Sequence, residues 1–332
     1  MTAARPICRI SDIGRLPQGL RGGVVAIGNF DGVHRGHQAV LERTLTEAAR
    51  RGVPSLVLTF EPHPRSVFRP QEPLARLTPA PMRARILELL GVAGVVELPF
   101  TPAFSRTGAE DFVRGILVDG LAVCHAVTGV DFHFGKGREG GPAFLMAAGA
   151  RHAFGVTLVD SFRDEGFEIV SSSRIRSLLA EGDVAEATGL LGYRYTVMAE
   201  VTGGKQLGRT LGFPTANMAL PADVGLRHGI YAVRLRRADG SLHDGVASFG
   251  RRPTVEEGGA ALLETYVFDF SGNLYGETCE VSLFGFLRPE LKFDGLDALV
   301  GQMRRDEAEA RALLAGVRPF SPLDAALTFA AR

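Results

Sequence analysis

Several features that would narrow the function of a protein are missing from this 332-residue chain. Its 37 basic and 37 acidic side chains cancel, so no overall field would attract nucleic acid or an anionic membrane. No apolar run is long enough to span a bilayer,. No GxxxxGK[ST] sequence occurs, which excludes a P-loop as a phosphate-binding element,.

Cysteine is also scarce. Cys8, Cys124 and Cys279 are odd in number, far apart and without CxxC spacing, which is typical of structural thiols in a reducing compartment. The first ten residues lack the apolar core of a secretion signal, so we expect a cytoplasmic protein. A hydrophobic content of 45% supports ample cores, and the length predicts two domains.

The most informative stretch is GNFDGVHRGHQ, residues 28–38. It follows the apolar run 24–27, which predicts a buried strand, and it leads into a helix. His34 and His37 are three residues apart and share one face of the first helical turn. Unpaired backbone N–H groups and the positive end of the helix dipole attract anions there, and the glycines leave room for a phosphate. The stretch therefore predicts a nucleotide-phosphate site.

Plainer interpretations exist for each part of this stretch. Either histidine alone would more often be a surface or cap residue. The pair could bind a metal, but no third ligand stands at suitable spacing nearby. Asp31 could merely shape the turn. Two histidines, an aspartate and three glycines in one strand-to-helix turn favour the phosphate site over these alternatives.

The first half of the chain alternates predicted strands and helices. The strands are expected at residues 24–27, 55–60, 94–98, 122–130 and 156–160. One helix has Thr78 as its predicted N-cap and Gly91 as its terminator, and Thr107 and Glu110 have capping-box spacing. This alternation predicts an α/β fold with a doubly wound, mostly parallel sheet. Ligands of such folds bind beyond the carboxyl ends of the strands.

Two further segments have more than one interpretation. Residues 135–140 fit GxGxxG and Asp160 lies twenty residues further on, which leaves a dinucleotide-binding motif open,. Their late position in the alternating series favours a basic flap over a nucleotide. Serines 171–173 open a helix and suit an N-cap. A cation at Arg176, in the first turn, is unfavourable against the helix dipole unless a bound polyphosphate compensates it.

The second half changes character near residue 183. A short helix at 184–191 precedes a series of strands that no long helix separates, which predicts an antiparallel β-barrel. Gln302, Arg305 and Asp306 lie on the polar side of a final amphipathic helix, 296–314. We therefore predict domains at residues 1–183 and 184–332. The expected strands are residues 193–201, 230–236, 245–249, 262–270 and 277–284.

Two features of the second half suggest chemistry. The segment GRTLGFPTAN, residues 208–217, is either a Gly/Pro loop or a ligand site. In an extended segment, Thr215 and Asn217 point the same way, and their neutral oxygens suit Mg²⁺, which keeps most of its waters. Glu264 shares a predicted strand face with Tyr266, Phe268 and Phe270. A carboxylate there is costly unless it has a partner or a function, or unless it lies at a strand end in water.

Taken together, these motifs resemble bacterial bifunctional riboflavin kinase/FAD synthetases, whose first half carries an HxGH nucleotidyltransferase segment. The resemblance covers essentially the whole chain. It implies that the C-terminal barrel phosphorylates riboflavin to FMN with ATP. It also implies that the N-terminal domain adenylylates FMN to FAD and releases pyrophosphate. The matching segments are GNFDGVHRGHQ, TFEPHP at 59–64, GVDFHFGKGREG at 129–140, SSSRIR at 171–176, GRTLGFPTAN and RPELKF at 288–293.

The resemblance also implies roles for individual residues. His34 and His37 would donate hydrogen bonds to the α-phosphate, and Glu264 would be the base of the kinase reaction. Thr215 and Asn217 would bind Mg²⁺, the expected cofactor. The residues implied in flavin binding are His63, Asp131, Arg288, Gln302 and Arg305. Those implied in nucleotide or phosphate binding are Gly28, Asn29, Phe30, Asp31, Ser172, Ser173, Arg176, Gly204, Lys205, Gly208, Arg209, Pro214, Thr215 and Asn217.

Ser173 stands where threonine is usual in the family, which keeps the hydroxyl, and His133 stands where arginine is frequent. The expected partners are the small molecules riboflavin, FMN and ATP, with no nucleic acid and no membrane; the sequence does not indicate an oligomeric state. A nucleotidyltransferase with a single active half is the nearest alternative. A flavin-binding regulator without turnover is the second.

Overall fold

The computed structural model describes residues 6–72, 74–203, 213–251 and 261–330. The chain divides into two compact units. The first comprises Met1–Leu74 and Thr78–Ser171, and the second comprises Ala75–Leu77 and Ser172–Arg332. The domain boundary expected at residue 183 stays a prediction.

The first unit is built on a six-stranded sheet in which every pair of neighbours is parallel. The strand order is β1-β4-β3-β2-β5-β6, which confirms the predicted α/β fold. The order reverses at β2, because β3 and β4 lie on one side of it and β5 and β6 on the other. The carboxyl ends of β2 and β5 therefore form the topological switch point, where open α/β sheets bind ligands. The strands are β1 (Cys8–Ile10), β2 (Val24–Ile27), β3 (Ser55–Glu61), β4 (Gly94–Pro99), β5 (His125–Gly129) and β6 (Gly155–Val159).

The helices of this unit cover the sheet and make β2 a core strand. All four residues of β2 are buried, as expected for a parallel strand covered on both faces. Short 3₁₀ turns complete the unit. Its helices are α1 (Arg35–Arg51), α2 (Pro64–Phe68), α3 (Ala80–Leu89), α4 (Ala109–Phe112), which continues as a π-helical segment (Val113–Gly120), and α5 (Pro142–His152).

Two of the predicted helix caps are wrong. Helix α3 begins at Ala80 with Pro79 at the N-cap position, so Thr78 lies outside the helix. Helix α4 has Gly108 at its N-cap, and the amide of Ala109 donates to Glu139 Oε1 at 2.7 Å. At α4 a tertiary contact therefore replaces the local cap that the spacing suggested. Gly91, as predicted, follows α3 in the left-handed conformation,.

The dinucleotide interpretation of residues 135–140 is also wrong. Phe134 and Gly140 pair as an isolated antiparallel bridge, and the residues between them form a 3₁₀ turn, Lys136–Arg138. The glycines therefore close a loop after the fifth strand, whereas the dinucleotide motif requires them to open a helix after the first. Helix α5 begins only at Pro142. The basic flap over a nucleotide stays a prediction.

The second unit contains a closed six-stranded barrel with antiparallel neighbours in the order β10-β11-β8-β7-β12-β9. Helix α8 packs against β9, β10 and β12. The predicted barrel with a C-terminal helix is thereby confirmed. Its elements are α6 (Ser172–Glu181), α7 (Val184–Leu191), β7 (Thr196–Thr202), β8 (Thr215–Leu220), β9 (Gly229–Arg236), β10 (Leu242–Arg251), β11 (Ala261–Val267), β12 (Thr278–Arg288), α8 (Leu296–Gly316) and α9 (Pro322–Thr328).

Two details of the barrel differ from the sequence-based expectation. Strand β8 was not among the predicted strands, because the preceding glycines and Pro214 mark a loop. The strand expected at 262–270 ends at Val267, and Asp269 has a positive φ of 55°, which interrupts an extended chain. Phe268 and Phe270 therefore do not continue the strand that carries Glu264.

In the described parts of the chain, no helix has both the length and the apolar character needed to span a bilayer.

Two candidate active sites

The turn that follows β2 has an unusual backbone. Phe30, Gly32 and Val33 all have positive φ, of 50°, 87° and 37°. Left-handed backbone is costly for residues other than glycine and persists only where the surroundings enforce it. Phe30 and Val33 are buried, with 1% and 0% of their surface exposed. Their burial is one of the constraints that hold this turn.

Hydrogen bonds from two other segments also hold the turn. The amide of Gly32 donates to Thr78 Oγ1 at 2.8 Å, and the amide of Thr78 donates to Asp31 Oδ1 at 3.0 Å. The hydroxyl of Thr59, in the TFEPHP segment, donates to the carbonyl of Asn29 at 3.0 Å. Asp31 thus shapes the turn, and its role in nucleotide binding stays a prediction.

The two histidines of this turn stack on each other. His34 is the N-cap of α1 and His37 lies in its first turn, with ring centroids 3.7 Å apart and planes inclined by 19°. The amide of His37 donates to His34 Nδ1 at 3.4 Å. A Cβ at Gly36 would lie only 3.1 Å from the His34 ring, so a larger residue at this position would crowd the ring. The predicted proximity of the two histidines is confirmed.

The protonation of the histidines follows from this packing. Burial, and secondly the neighbouring His34, hold the pKa of His37 well below its usual value of 6.5. Its Nδ1 is buried without a hydrogen-bond partner among the described residues. His34 accepts a hydrogen bond at Nδ1, so its neutral ring carries the proton at Nε2. A neutral imidazole at His37 can donate one hydrogen bond to a phosphate without adding positive charge.

Other predicted residues lie near strand ends in the same unit. Asp131 is exposed two residues after β5, and its carbonyl lies 2.8 Å from His133 Nδ1. His63 caps α2, where its Nδ1 accepts from the amide of Arg65 at 3.1 Å. Gly28 and Asn29 follow β2 directly. The ligand contacts of these residues stay predictions.

Ser172, Ser173 and Arg176 lie on α6, in the second unit. Arg176 Nε donates to the carbonyl of Ala75 at 2.6 Å, and the carbonyl of Ser173 accepts from the hydroxyl of Ser177 at 3.4 Å. Arg176, which the sequence placed in the first turn, is the fifth residue of α6 and is bonded to a backbone carbonyl. Its predicted contact with phosphate stays a prediction.

In the barrel, the predicted base and the predicted metal ligands lie on neighbouring strands. Glu264 on β11 pairs with Asn217 on β8, and Tyr266 pairs with Thr215. Glu264 and Tyr266 lie on the partly exposed face of β11, which alternates with a buried face that includes Thr265. The carboxylate is therefore partly buried, and it shares its strand face with Tyr266 as predicted.

Asn217 has the donor and acceptor arrangement that a cation site needs. The side chain is 5% exposed, and its Nδ2 donates to the carbonyl of Thr215 at 3.2 Å. Its Oδ1 is buried without a hydrogen-bond partner among the described residues. Thr215 lies two residues away on the same strand, and its hydroxyl is a second neutral oxygen of the kind that Mg²⁺ accepts,. The residues present fit this metal.

Several residues of the same motif cannot be placed. Gly204, Lys205, Gly208 and Arg209 lie outside the described residues. Pro214 is exposed immediately before β8.

The flavin-binding residues predicted in the second unit form one hydrogen-bonded chain. Arg288, at the end of β12, makes a bidentate contact with Asp306 on α8, at 2.8 and 2.6 Å. Gln302 Nε2 donates to the same carboxylate at 2.8 Å, and Arg305 donates to Gln302 Oε1 at 2.7 and 3.0 Å. Asp306 is only 4% exposed, so its expected place on the polar side of the helix is wrong.

Sequence reasoning missed the functions of two residues in these sites. The proline after Thr78 predicts a helix cap, whereas the hydroxyl and amide of Thr78 bind residues 31 and 32 of the turn at 28–34, here called the histidine turn. Asp306 was grouped with exposed polar residues of the same helix. Its spacing of four from Gln302 was the available signal, but its partner Arg288 is distant in sequence.

The geometry thus defines a two-unit protein with one candidate site at a parallel-sheet switch point and another on a β-barrel. Comparison with known proteins identifies the two regions of the chain that contain them. The family model for FAD synthetase matches residues 16–174, and that for riboflavin kinase matches residues 191–314.

Curated relatives carry both regions in one chain. The bifunctional riboflavin kinase/FMN adenylyltransferase of Pseudomonas fluorescens is 43% identical, covering 89% of this chain and 94% of the relative. The Listeria monocytogenes protein of that name is 40% identical, covering 88% and 92%. The Escherichia coli K12 protein is 38% identical, covering 93% and 98%. A crystal structure titled macrolide-efflux protein from Streptococcus pneumoniae superposes with a TM-score of 0.79 at 29% identity, covering 92% and 99% of the two chains.

The chain belongs to the bifunctional riboflavin kinase/FMN adenylyltransferase family. The resemblance found in the sequence is therefore confirmed, and so is the prediction of an enzyme with two transferase activities. The two matched regions leave residues 175–190 between them.

Proposed function

We propose that this protein converts riboflavin to FMN in its barrel and FMN to FAD in its parallel-sheet unit, with ATP as the donor in both reactions. The observation that carries this assignment is the presence of both candidate sites in one chain. The stacked pair His34 and His37 supports FAD formation in the parallel-sheet unit. The pairing of Glu264 with Asn217 supports riboflavin phosphorylation in the barrel. We assign FAD formation to a domain at residues 1–183 and riboflavin phosphorylation to a domain at residues 184–332.

The adenylylation site needs no protein base. The phosphate of FMN is an anion near neutral pH, and one of its oxygens attacks the α-phosphorus of ATP while the bond to the leaving pyrophosphate breaks. The protein has to align these groups and stabilise the charge that grows on the α-phosphate. His34 and His37 donate hydrogen bonds to that phosphate. Gly28, Asn29, Phe30 and Asp31 form the surrounding turn.

The family resemblance also assigns phosphate contacts to three residues of α6. Ser172, Ser173 and Arg176 bind the polyphosphate, for which Arg176 exchanges its bond to the Ala75 carbonyl. His63 and Asp131 contact the flavin. These roles rest on the family resemblance and on the position of His63 and Asp131 after strands of the sheet.

The kinase reaction differs because its nucleophile is a neutral hydroxyl. Glu264 accepts the proton of the riboflavin hydroxyl as that oxygen attacks the γ-phosphorus of ATP, and the bond from the γ-phosphorus to the leaving ADP breaks. Thr215 and Asn217 would hold Mg²⁺, and this role is supported by Asn217 Oδ1, which is buried without a hydrogen-bond partner among the described residues. When bound, Mg²⁺ would neutralise charge on the polyphosphate. Gly204, Lys205, Gly208, Arg209 and Pro214 contact the nucleotide, and Arg288, Gln302 and Arg305 contact the flavin.

We also propose a cytoplasmic location. Cys8, Cys124 and Cys279 are all unpaired thiols, which agrees with a reducing compartment.

One assay tests the proposal as a whole. Purified protein is incubated with riboflavin, ATP and Mg²⁺, and the products are separated by chromatography; we expect FMN first and then FAD. Formation of FMN alone, or of FAD only from added FMN, would leave one active half. Flavin binding without either product would instead support a regulator.

A further inference from the structure

Thr78 is a buried residue that lies outside the strands and helices. It is 2% exposed and lies two residues before α3. Its hydroxyl accepts from the Gly32 amide at 2.8 Å, and its own amide donates to Asp31 Oδ1 at 3.0 Å. One residue therefore holds two consecutive residues of the histidine turn.

The contacts of Thr78 meet the turn where its backbone is least regular. Gly32, whose amide Thr78 binds, has a φ of 87° and lies between Phe30 and Val33, which also have positive φ. His34 follows Val33 directly and begins α1. His34 and His37 follow Gly32 by only two and five residues, so a change in the backbone at Gly32 would also move their rings.

Helix α3 gives Thr78 a rigid support. Arg83, five residues further on, has no exposed surface. Its Nη2 donates to Glu61 Oε2 at 3.1 Å and to Glu97 Oε1 at 2.9 Å. These carboxylates lie on β3 and β4, so the arginine fixes the start of α3 against the sheet. Arg9 on β1 binds Glu97 as well, at 2.9 Å.

We propose that Thr78 is a positioning residue for adenylyl transfer, which acts by fixing the Asp31–Gly32 turn so that His34 and His37 meet the α-phosphate. It touches neither substrate nor the reacting atoms. This inference rests on the proposed role of the two histidines. It adds that their placement depends on a hydroxyl more than forty residues away in the chain.

The test compares Thr78→Val, which keeps the shape and removes the hydroxyl, with Thr78→Ser, which restores it. For the valine variant we expect kcat of FAD formation from FMN to fall by about 10- to 100-fold, with the KM for ATP less affected, because alignment is lost more than ground-state binding. The serine variant should recover most of this rate. Riboflavin phosphorylation, measured on the same preparations, should remain at the level of the unmodified protein.

Thr44→Val is a matched control, since Thr44 is equally buried and its hydroxyl donates to the Val40 carbonyl within α1. It should leave adenylylation nearly unchanged. If Thr78→Val does not fold, Thr78→Ala takes its place, because it removes the hydroxyl without putting a methyl group against the Gly32 amide. The inference is overturned if the valine or alanine variant makes FAD normally, if serine gives no rescue, or if Thr44→Val is equally impaired.

A double variant, His34→Ala with His37→Ala, separates this inference from the site assignment. If that variant still makes FAD, the histidine site itself is wrong. If it is inactive while Thr78→Val remains active, only the role of Thr78 is wrong.

Discussion

The two candidate sites are held together in opposite ways. The histidine turn is irregular, with three residues at positive φ, and depends on burial and on side chains from distant segments. The barrel site uses regular strands, whose register alone brings Glu264 opposite Asn217. The difference follows the chemistry that each site would perform.

A reaction whose nucleophile is already an anion needs accurate placement of hydrogen-bond donors, which a turn fixed by burial and hydrogen bonds provides. A reaction at a hydroxyl also needs a base, and a strand face presents a carboxylate and an amide oxygen side by side. If this comparison is correct, changes in one site should leave the other reaction intact.

The largest separation is expected from the histidine pair. Replacing His34 and His37 with alanine removes both proposed donors to the α-phosphate, and we expect FAD formation to fall by about 10³-fold or more. FMN formation from riboflavin should persist, because the barrel is untouched. Chromatography of both reactions checks this, and undiminished FAD synthesis would contradict the assignment.

The reciprocal separation is expected from Glu264→Gln. Loss of the base should lower riboflavin phosphorylation by about 10²- to 10⁴-fold, while adenylylation of supplied FMN continues. Glu200→Gln, an exposed carboxylate on β7, is the control and should retain both activities. A kinase that works normally with glutamine at 264 would exclude the base role.

A smaller effect is expected from Asn217→Ala. Removing the buried Oδ1 should raise the Mg²⁺ concentration required for half-maximal kinase activity by about tenfold. A titration with Mg²⁺ at fixed ATP measures this shift. The Mg²⁺ requirement of FAD formation from FMN should not move; an equal shift in both reactions would argue against a metal role limited to the barrel.

The smallest effect concerns stability and pH in the parallel-sheet unit. Burial is the main cause that lowers the pKa of both His37 and His125 below 6.5. On acidification the unfolded chain therefore binds these protons at a higher pH than the folded chain. The contribution of the two histidines to the free energy of unfolding is constant above about pH 6.5 and falls below it, by at most about 1.4 kcal/mol per pH unit and histidine.

Thermal unfolding followed by circular dichroism between about pH 7.5 and 5 measures that loss. Glu47, whose pKa is lowered to about 2 by Arg50 and Arg51, contributes only at lower pH. In His125→Gln the decline should be shallower. A Tm that rises on acidification would contradict the prediction.

The fold was predictable from the sequence to a large extent, because it depends on local patterns. Apolar runs separated by helical segments predicted five of the six parallel strands, and only the three-residue β1 was too short to give a signal. In the barrel, β8 escaped notice because its preceding glycines and proline indicate a loop. Its identity as a strand depends on pairing with β11 and β7.

The candidate sites were predictable only in part. Motif spacing indicated that His34 and His37 lie together, and it placed Thr215 and Asn217 on one segment. Contacts between distant segments gave no local signal. Thr78 with Gly32 and Asp306 with Arg288 are examples, since a sequence pattern reports which face a residue occupies but not which partner it meets.

The last helix, α9, has a practical consequence for expressing the kinase half as a separate fragment. The matched riboflavin kinase region ends at residue 314, which suggests a truncation of the gene at that point. Such a truncation would delete Asp324, a fully buried carboxylate that accepts from both the amide and the guanidinium of Arg194. It would also delete the Leu327 carbonyl that binds the buried Arg236 at 2.8 Å. Two arginines of the barrel would be left without these acceptors, so a stable fragment has to extend through α9.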